Sequence, residues 1–427
     1  MSTRQSRRVF VHVPEPTSGA ALYVAQLVAA LASVEPDLTL FCPDNFVYKK
    51  EIAAAGAGII ELGGRGISHA GLLARIYRNL RFFAIAASRQ WKATGRGDII
   101  HFQFPPHFPL GLIPFLLAKT RGCRIVFTVH DPLPHRWHYP PQLRFLEVGM
   151  RRYACNLSEV LVVHNQAGRE ILIRQFGQAP GKIEVIPHGP MNIGKRLPSK
   201  APDADELRLL LFGSIRENKG IRLAIEAVRR VNSASGVGVR LTIAGQAENS
   251  ADRLYWQTCL ESIDQAPEMF EVMHRYISES EVPELVERHH GLVLPYTGFV
   301  SESGVAALAL THARPILGTR AGGLGELMEN SGAGIVIPTA TIEGIAAAIE
   351  NALKAGQNEL AVMGERGAEF INRERGWGAI ARKTAAIYGR LSSDEASTRI
   401  SAPAVPNAAK DIETTAGSAT NRRASTD

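Results

Sequence analysis

Cysteine is scarce in this chain, and its placement removes two function classes at once. Cys42, Cys123, Cys155 and Cys259 are the only four among 427 residues. They are widely spaced and form no Cys-x-x-Cys pair. That argues against a disulfide framework and against a zinc site, and it fits a reducing cytoplasm. Long apolar runs are missing too. No uninterrupted stretch of about 18 apolar residues occurs, so no membrane span is expected. The opening MSTRQSRRVFVHV has only a short apolar run before Pro14, which reads as a first strand and not as a signal peptide. Aromatics make up 7% of the chain. They form no platform interleaved with basic residues, and no nucleic-acid module is recognisable.

What remains is a globular mix. Hydrophobic residues are 45% and charged residues 21%, enough for a sizeable core, and the length suggests two to three domains. The net charge of +7 is unevenly placed. Residues 1–190 hold 22 Lys/Arg against 12 Asp/Glu, and the remainder 26 against 29. A basic first half fits an anionic partner, such as phosphates, a nucleic acid or an anionic membrane surface, or a solvated arginine-rich surface.

Short apolar runs alternate with helical patterns. Strands are expected at 8–13, 38–42, 58–62, 98–104, 124–130, 159–164 and 182–187, with helices between them such as 20–32 and 71–91. Strand, helix, strand at this pitch implies parallel pairing with right-handed crossovers. HGPMNIGKRLPSKAPDADE (188–206) then breaks the pattern with Pro, Gly and charge, as a linker does. The alternation restarts at 207–213, 239–245, 269–274, 291–296, 314–319 and 332–338. The fold class is therefore α/β, with two doubly wound parallel sheets facing a cleft at their strand ends. The expected boundaries are 1–190, a linker at 191–206, 207–376, a last helix at 377–392, and a disordered tail over 393–427. The tail is low in aromatics and rich in Ser, Thr, Ala and Pro.

Candidate site residues fall where strands end. After RVFVHV comes PEPTSGAALYV, in which Ser18 can cap a helix and Gly19 opens the backbone to a ligand. In LLLFGSIRENKGIRLAIEAV, Gly213 ends a strand and Arg216 and Lys219 follow three apart. Arg can bind a diphosphate as a fork, and Lys as a point charge. In SESGVAALALTHARPILGTRAGGLGEL (301–327), Ser301 or Ser303 can cap the helix and Gly304 leaves its first N–H groups open. Ala321-Gly322-Gly323 makes a further bare turn. His130, His135 and His138 cluster in a loop, but no cysteine or carboxylate completes a tetrahedral set, so no metal is assigned. His289-His290 reads as structural. HFQFPPHFPLGLIPFLLAK (101–119) reads as core in the first place, with a lipid-facing stretch as the alternative. The helix bearing Arg75, Arg78, Arg81 and Arg89 with Phe82 and Phe83 reads as an anionic-membrane face or a solvated crossover helix.

Taken in order, these pieces resemble a retaining GT-B glycosyltransferase of the family-4 type, also called group 1. The matching motifs are TSGAALYVAQLVAALA, VFTVHDPLPH, VLVVHNQAGREIL, KIEVIPHG, LFGSIRENKGIRLAIEAV, LTIAG, VLPY, SESGVAALALTHARPILGTRAGGLGEL and a late Trp377. They run from about residue 8 to 392, and their joint order is far more specific than any one of them. The resemblance implies two Rossmann-like domains. The donor would be a nucleotide-diphosphate sugar on the C-terminal domain, with no further cofactor. The acceptor, a saccharide or lipid-linked saccharide, would sit on the N-terminal domain. The last helix would cross back to the first domain.

Position by position, the resemblance places Gly19 beside the donor diphosphate and His130 near the reacting sugar. It puts Arg216 and Lys219 on the diphosphate, and Ser303, Gly304 and Val305 at its phosphate oxygens. The family's two glutamates eight apart fall here on Val300 and Leu308. Glu302 and Glu326 stand in as candidate sugar or ribose contacts. Ser214 replaces the arginine that often follows the strand-end glycine, which leaves that role to Arg216. The implied reaction is metal-independent transfer with retention, in bacterial surface polysaccharide or glycolipid assembly. The enzyme would be cytoplasmic, with a peripheral position at the inner face of the plasma membrane. Two rival readings share the fold: a non-catalytic nucleotide-sugar-binding subunit, and a nucleotide-sugar epimerase.

Overall fold

Strands nearly continuous in Val, Ile and Leu can be buried on both faces only in a parallel sheet flanked by helices. The protein, seen here as a computed structural model, has two such sheets. The structure describes residues 7–16, 19–64, 72–106, 108–134, 137–194, 206–234 and 238–392. Ser18, His135, most of the expected linker and the expected tail lie outside them, as do the side chains of Arg75 and Arg78.

The first sheet has seven strands: β1 (Val9–His12), β2 (Leu38–Cys42), β3 (Gly58–Glu61), β4 (Ile99–Phe102), β5 (Arg124–Thr128), β6 (Val160–Val163) and β7 (Ile183–Val185). The crossover helices are α1 (Gly19–Leu31), α2 (Lys49–Ala54), α3 (Leu72–Ala93), α4 (Ile113–Thr120), α5 (Arg144–Leu157) and α6 (Gln166–Arg174). The spatial order is β3-β2-β1-β4-β5-β6-β7, and every pair is parallel. Direction along the sheet reverses between β1 and β4, where Val9 faces Ile99.

The second sheet has six strands: β8 (Leu207–Phe212), β9 (Val239–Gly245), β10 (Phe270–His274), β11 (Gly291–Leu294), β12 (Ile316–Thr319) and β13 (Gly334–Ile337). Its helices are α7 (Ile221–Ala234), α8 (Ser250–Ile263), α9 (Val282–Glu287), α10 (Gly304–Thr311), α11 (Gly323–Ser331) and α12 (Ile342–Glu374). The order is β10-β9-β8-β11-β12-β13, with the reversal between β8 and β11, where Leu210 faces Leu292. The chain within α12 leaves helical geometry at Gly356. A final helix, α13 (Trp377–Ser392), packs on α1. Its Ile380, Ala381, Ile387, Tyr388 and Leu391 are buried with Val24, Leu27 and Val28 in the core of the first sheet.

Several strands are shorter than their apolar runs, and proline is the common reason. β4 stops at Phe102, short of Pro105-Pro106; β11 stops at Leu294, before Pro295; β12 starts at Ile316, after Pro315. A proline donates no ladder hydrogen bond. The 101–119 stretch divides: Phe102, Phe115 and Ala118 are core, while Phe108 and Leu116 are exposed. On α3, Phe82 is buried and Phe83 packs against the same core. Those two rings therefore face inward, and they do not form an outer apolar face.

Candidate functional site

In an open α/β sheet, ligands bind where strand order reverses, beyond the carboxyl ends of the strands. Both reversals occur here with the expected residues beside them. After β1 comes the turn to Gly19, and among the described residues nothing stands within 4 Å of the space a Gly19 side chain would take. After β8 comes the loop from Gly213 to Lys219; after β11 comes the loop to Ser303 and Gly304.

These last two loops interlock. The Thr297 N–H donates to the Asn218 carbonyl at 2.9 Å. Gly220, at φ +67°, lies so close to Pro295 that a side chain there would meet the Pro295 carbonyl at 2.3 Å, so only glycine fits. Ser303 caps α10: its Oγ accepts from the Ala306 N–H at 3.2 Å. That leaves the first N–H groups of α10, those of Gly304 and Val305, without partners in their own helix. Gly213 lies against Val305. Lys219 Nζ sits 3.8 Å from the centroid of the Tyr296 ring, and the Tyr296 hydroxyl lies 3.2 Å from Ser303 Oγ. Tyr296 thus ties the lysine to the helix cap, a role the motif VLPY does not announce. Arg216 donates to Glu248 Oε2 at 3.1 Å, and Ser214 Oγ donates to Glu248 Oε1 at 2.8 Å. The Arg216 side chain therefore begins engaged, through a half-exposed carboxylate that an anionic ligand can replace.

On the opposite wall, His130 belongs to a packed aromatic group. The Tyr23 ring lies 4.9 Å from His130, 5.3 Å from His164, 4.7 Å from His188 and 5.2 Å from Trp377. His164 Nδ1 lies 2.9 Å from the Ile186 carbonyl, and its Nε2 lies 2.8 Å from His130 Nδ1. A carbonyl only accepts, so His164 carries its proton on Nδ1 and its Nε2 must accept. His130 then donates from Nδ1, which leaves its Nε2 as a bare acceptor. That atom is buried and has no partner among the described residues. Burial, then the nearby His164, hold the His130 pKa well below its ordinary value. Burial pushes His164 down to about 4, and His188 and His101 to about 3. The imidazole offered to a ligand is neutral. His138 faces elsewhere, with Nδ1 3.2 Å from Glu147 Oε1. His289 is held by the Leu285 carbonyl and Thr242 Oγ, each within 2.7 Å.

Glu302 sits between the two walls. Its side chain is 3% exposed and ion-paired with Arg375, itself 8% exposed. Asn165 Nδ2 donates to its other oxygen at 3.5 Å, while Asn165 Oδ1 caps α6 through the Gly168 N–H. Burial raises the Glu302 pKa, Arg375 and Asn165 oppose this, and Glu326 adds a like charge nearby. The carboxylate fits because residue 323 is glycine: a side chain there would meet Glu302 Oε2 at 2.0 Å. Glu302 is thus turned toward Arg375 and Asn165. Glu326 is half-buried in the first turn of α11. Leu308, at the position of a family glutamate, is core. Arg375 escapes sequence reasoning because it belongs to no recognisable motif; Asn165 stands in VLVVHNQAGREIL, but nothing in that motif's spacing ties it to Glu302.

Residues 17–189 match Glycosyltransferase Family 4, and residues 206–355 match Glycosyl transferases group 1. Together these cover well over half of the chain. The protein belongs to the group 1, family 4-type glycosyltransferases. A glycogen synthase of Mycobacterium tuberculosis strain H37Rv is 24% identical over 347 residues, 79% of this chain and 78% of the relative. Among solved structures, Anabaena HepE in complex with UDP superposes with a TM-score of 0.67 at 14% identity, covering 90% of this chain and all of that one. Sucrose-phosphate synthase from Thermosynechococcus elongatus gives 0.69 at 17% identity, covering 90% and 99%. The fold is GT-B.

Proposed function

We propose that this glycosyltransferase moves a sugar from a nucleoside-diphosphate donor to an acceptor hydroxyl with retained configuration. The observation that carries this reading is the pairing of Arg216 and Lys219 with the open N-terminus of α10, across the β8–β11 reversal. The leaving group is a diphosphate, so the main catalytic task is to stabilise charge on its oxygens. Two cations and a helix dipole can do that without a metal ion. Arg216 exchanges Glu248 for the diphosphate, and Lys219 slides from the Tyr296 face onto it. His130 Nε2, neutral and without a donor, accepts a hydroxyl of the transferred sugar. Gly304 and Val305 supply N–H groups to phosphate oxygens. Closure of the cleft excludes water and limits hydrolysis.

HepE is described in complexes with UDP and with UDP-glucose, which supports testing UDP-sugars first. The basic first half supports an acceptor carrying a diphosphate or lipid. That fits surface polysaccharide or glycolipid assembly at the inner face of the plasma membrane.

The test is heat stabilisation by UDP-, GDP-, ADP- and CDP-sugars without added metal. A ligand at 100-fold its Kd adds about 2.7 kcal/mol to apparent stability. One nucleotide class should raise the Tm of the wild type and leave Arg216→Ala unmoved. No rise with any of them would overturn the donor site and favour a binding subunit that has lost its ligand.

A further inference from the structure

Away from the cleft, the outer face of the first domain has a character of its own. Large apolar side chains are exposed at fifteen described positions, and nine of these lie between Tyr77 and Tyr153, on α3, α4, α5 and their connections. In the second domain the exposed ones, Leu254, Val272, Tyr276 and Val362, sit on separate elements. Scattered apolar residues need no explanation, but a concentration does.

The three helices are neighbours: α3 packs on α4, and α4 on α5. On α5, Phe145 is 65% exposed, Leu146 42% and Tyr153 46%. With Gly149 between them, these residues recur at helical spacing along one outward face. The opposite face of α5 buries Val148, Met150, Ala154 and Cys155. The exposed Leu143 and Phe108 continue the patch, and the Phe108 ring lies tilted against Tyr139, centroids 6.2 Å apart. Residues 137–146 follow β5, so the patch begins at the cleft rim on the acceptor side.

Charge identifies what this face fits. Together α3, α4 and α5 carry nine Lys/Arg and a single acid, Glu147; of the cations, Arg151 is buried and the side chains of Arg75 and Arg78 lie outside the described residues. Glu147 is fully buried against Arg151 and His138, so the three helices expose no carboxylate. Cations alternate with amphipathic rings: Arg144 lies 5.2 Å above Trp137, and Arg121 4.6 Å above Trp91. A protein partner would be expected to find charges of both signs here. An acid-free surface of cations, tryptophans and exposed Phe and Leu matches the headgroup region of an anionic bilayer.

We propose that the α3–α5 face, led by the Phe145, Leu146, Tyr153 stripe, docks this protein on anionic membrane. Phe145 and Leu146 enter the headgroup boundary. The arginines meet lipid phosphates, and the acceptor side of the cleft opens toward the bilayer. The purpose of the docking rests on the glycosyltransferase reading, but the docking itself does not.

The experiment is vesicle flotation of the full chain with phosphatidylcholine, with and without phosphatidylglycerol. Phe145→Ser/Leu146→Ser is the variant, and light scattering follows the oligomeric state. Wild type should float with the anionic vesicles only. The double variant should partition at least about tenfold less, with an unchanged Tm because both side chains are exposed. No flotation of wild type, or equal flotation of the variant, overturns the proposal. So does a wild-type dimer that the variant dissolves, since a second copy would then be the occupant. Nucleotide-sugar stabilisation measured on the same preparations keeps the two readings apart. Wild type that fails to float while its nucleotide-sugar stabilisation is intact refutes the docking alone.

Discussion

Asn165 and Glu302, 137 positions apart in the chain, meet across the cleft, with Asn165 Nδ2 donating to Glu302 Oε2 at 3.5 Å. One belongs to the cap of α6, the other to the loop that opens α10. Arg375, between α12 and α13, holds the other carboxylate oxygen. Three segments from distant parts of the chain therefore depend on one buried carboxylate.

Breaking this pair should be costly. Arg375→Met leaves Glu302 charged, buried and short of its main partner, a loss of about 3–5 kcal/mol. Glu302→Gln/Arg375→Met should recover much of that loss. Gly323→Ala should also destabilise, because the new methyl displaces the same carboxylate, and it should cost less in the Arg375→Met background. Thermal unfolding of the four variants tests the coupling. Additive effects would show that the residues do not act together.

Lys219→Ala should lower turnover by orders of magnitude and leave the fold intact. Its described contacts are the faces of Tyr296 and Phe299, worth about 0.5–2 kcal/mol. A variant with near-normal kcat/KM would remove Lys219 from the diphosphate.

His164→Phe should lower turnover about 10- to 100-fold without touching any ligand. It deletes the acceptor that fixes the His130 proton on Nδ1, so His130 becomes free to place its proton on Nε2 and lose the acceptor. Nitrogen chemical shifts of His130 report the tautomer directly. An unchanged tautomer in the variant would refute the relay.

Stability should fall as pH drops below about 6.5. His101, His164 and His188 are buried neutral, with pKa values near 3, 4 and 3 in the folded state. The unfolded chain binds their protons from about 6.5 downward, and the folded chain does not. Stability is therefore fully present above 6.5 and declines below it, by up to about 1.4 kcal/mol per pH unit for each histidine. Unfolding midpoints at pH 7.5, 6.5 and 5.5 should fall over the last interval; a flat profile would mean that these imidazoles are not held neutral.

The two sheets were legible because period and burial agree. A strand such as LTLFC, buried on both faces, has no polar side to confuse the pattern, and β2 matches it residue for residue. The strand-end glycines and Arg216 were legible because phosphate sites reuse local backbone. Glu302 was visible as a misplaced acid, but its partners were not. Pairing over 73 and 137 positions leaves no local spacing to read. The outward face of α5 was missed for another reason. RFLEVGMRRYACNL has apolar residues on both faces, so periodicity alone does not say which face is buried. Phe82 and Phe83 misled in the opposite sense, since arginines flank them while the rings turn to the core.

The seat of α13 on α1 bears on how the molecule is made. The first sheet leaves the ribosome by about residue 190, yet Tyr388 and Leu391 complete its core. At synthesis rates of about 5–20 residues per second the interval is roughly 10–40 s. During that time the apolar back of α1 stands uncovered while an entire second domain is synthesised. The half of the protein that emerges first is finished last, and in the interval it is a natural client for a chaperone.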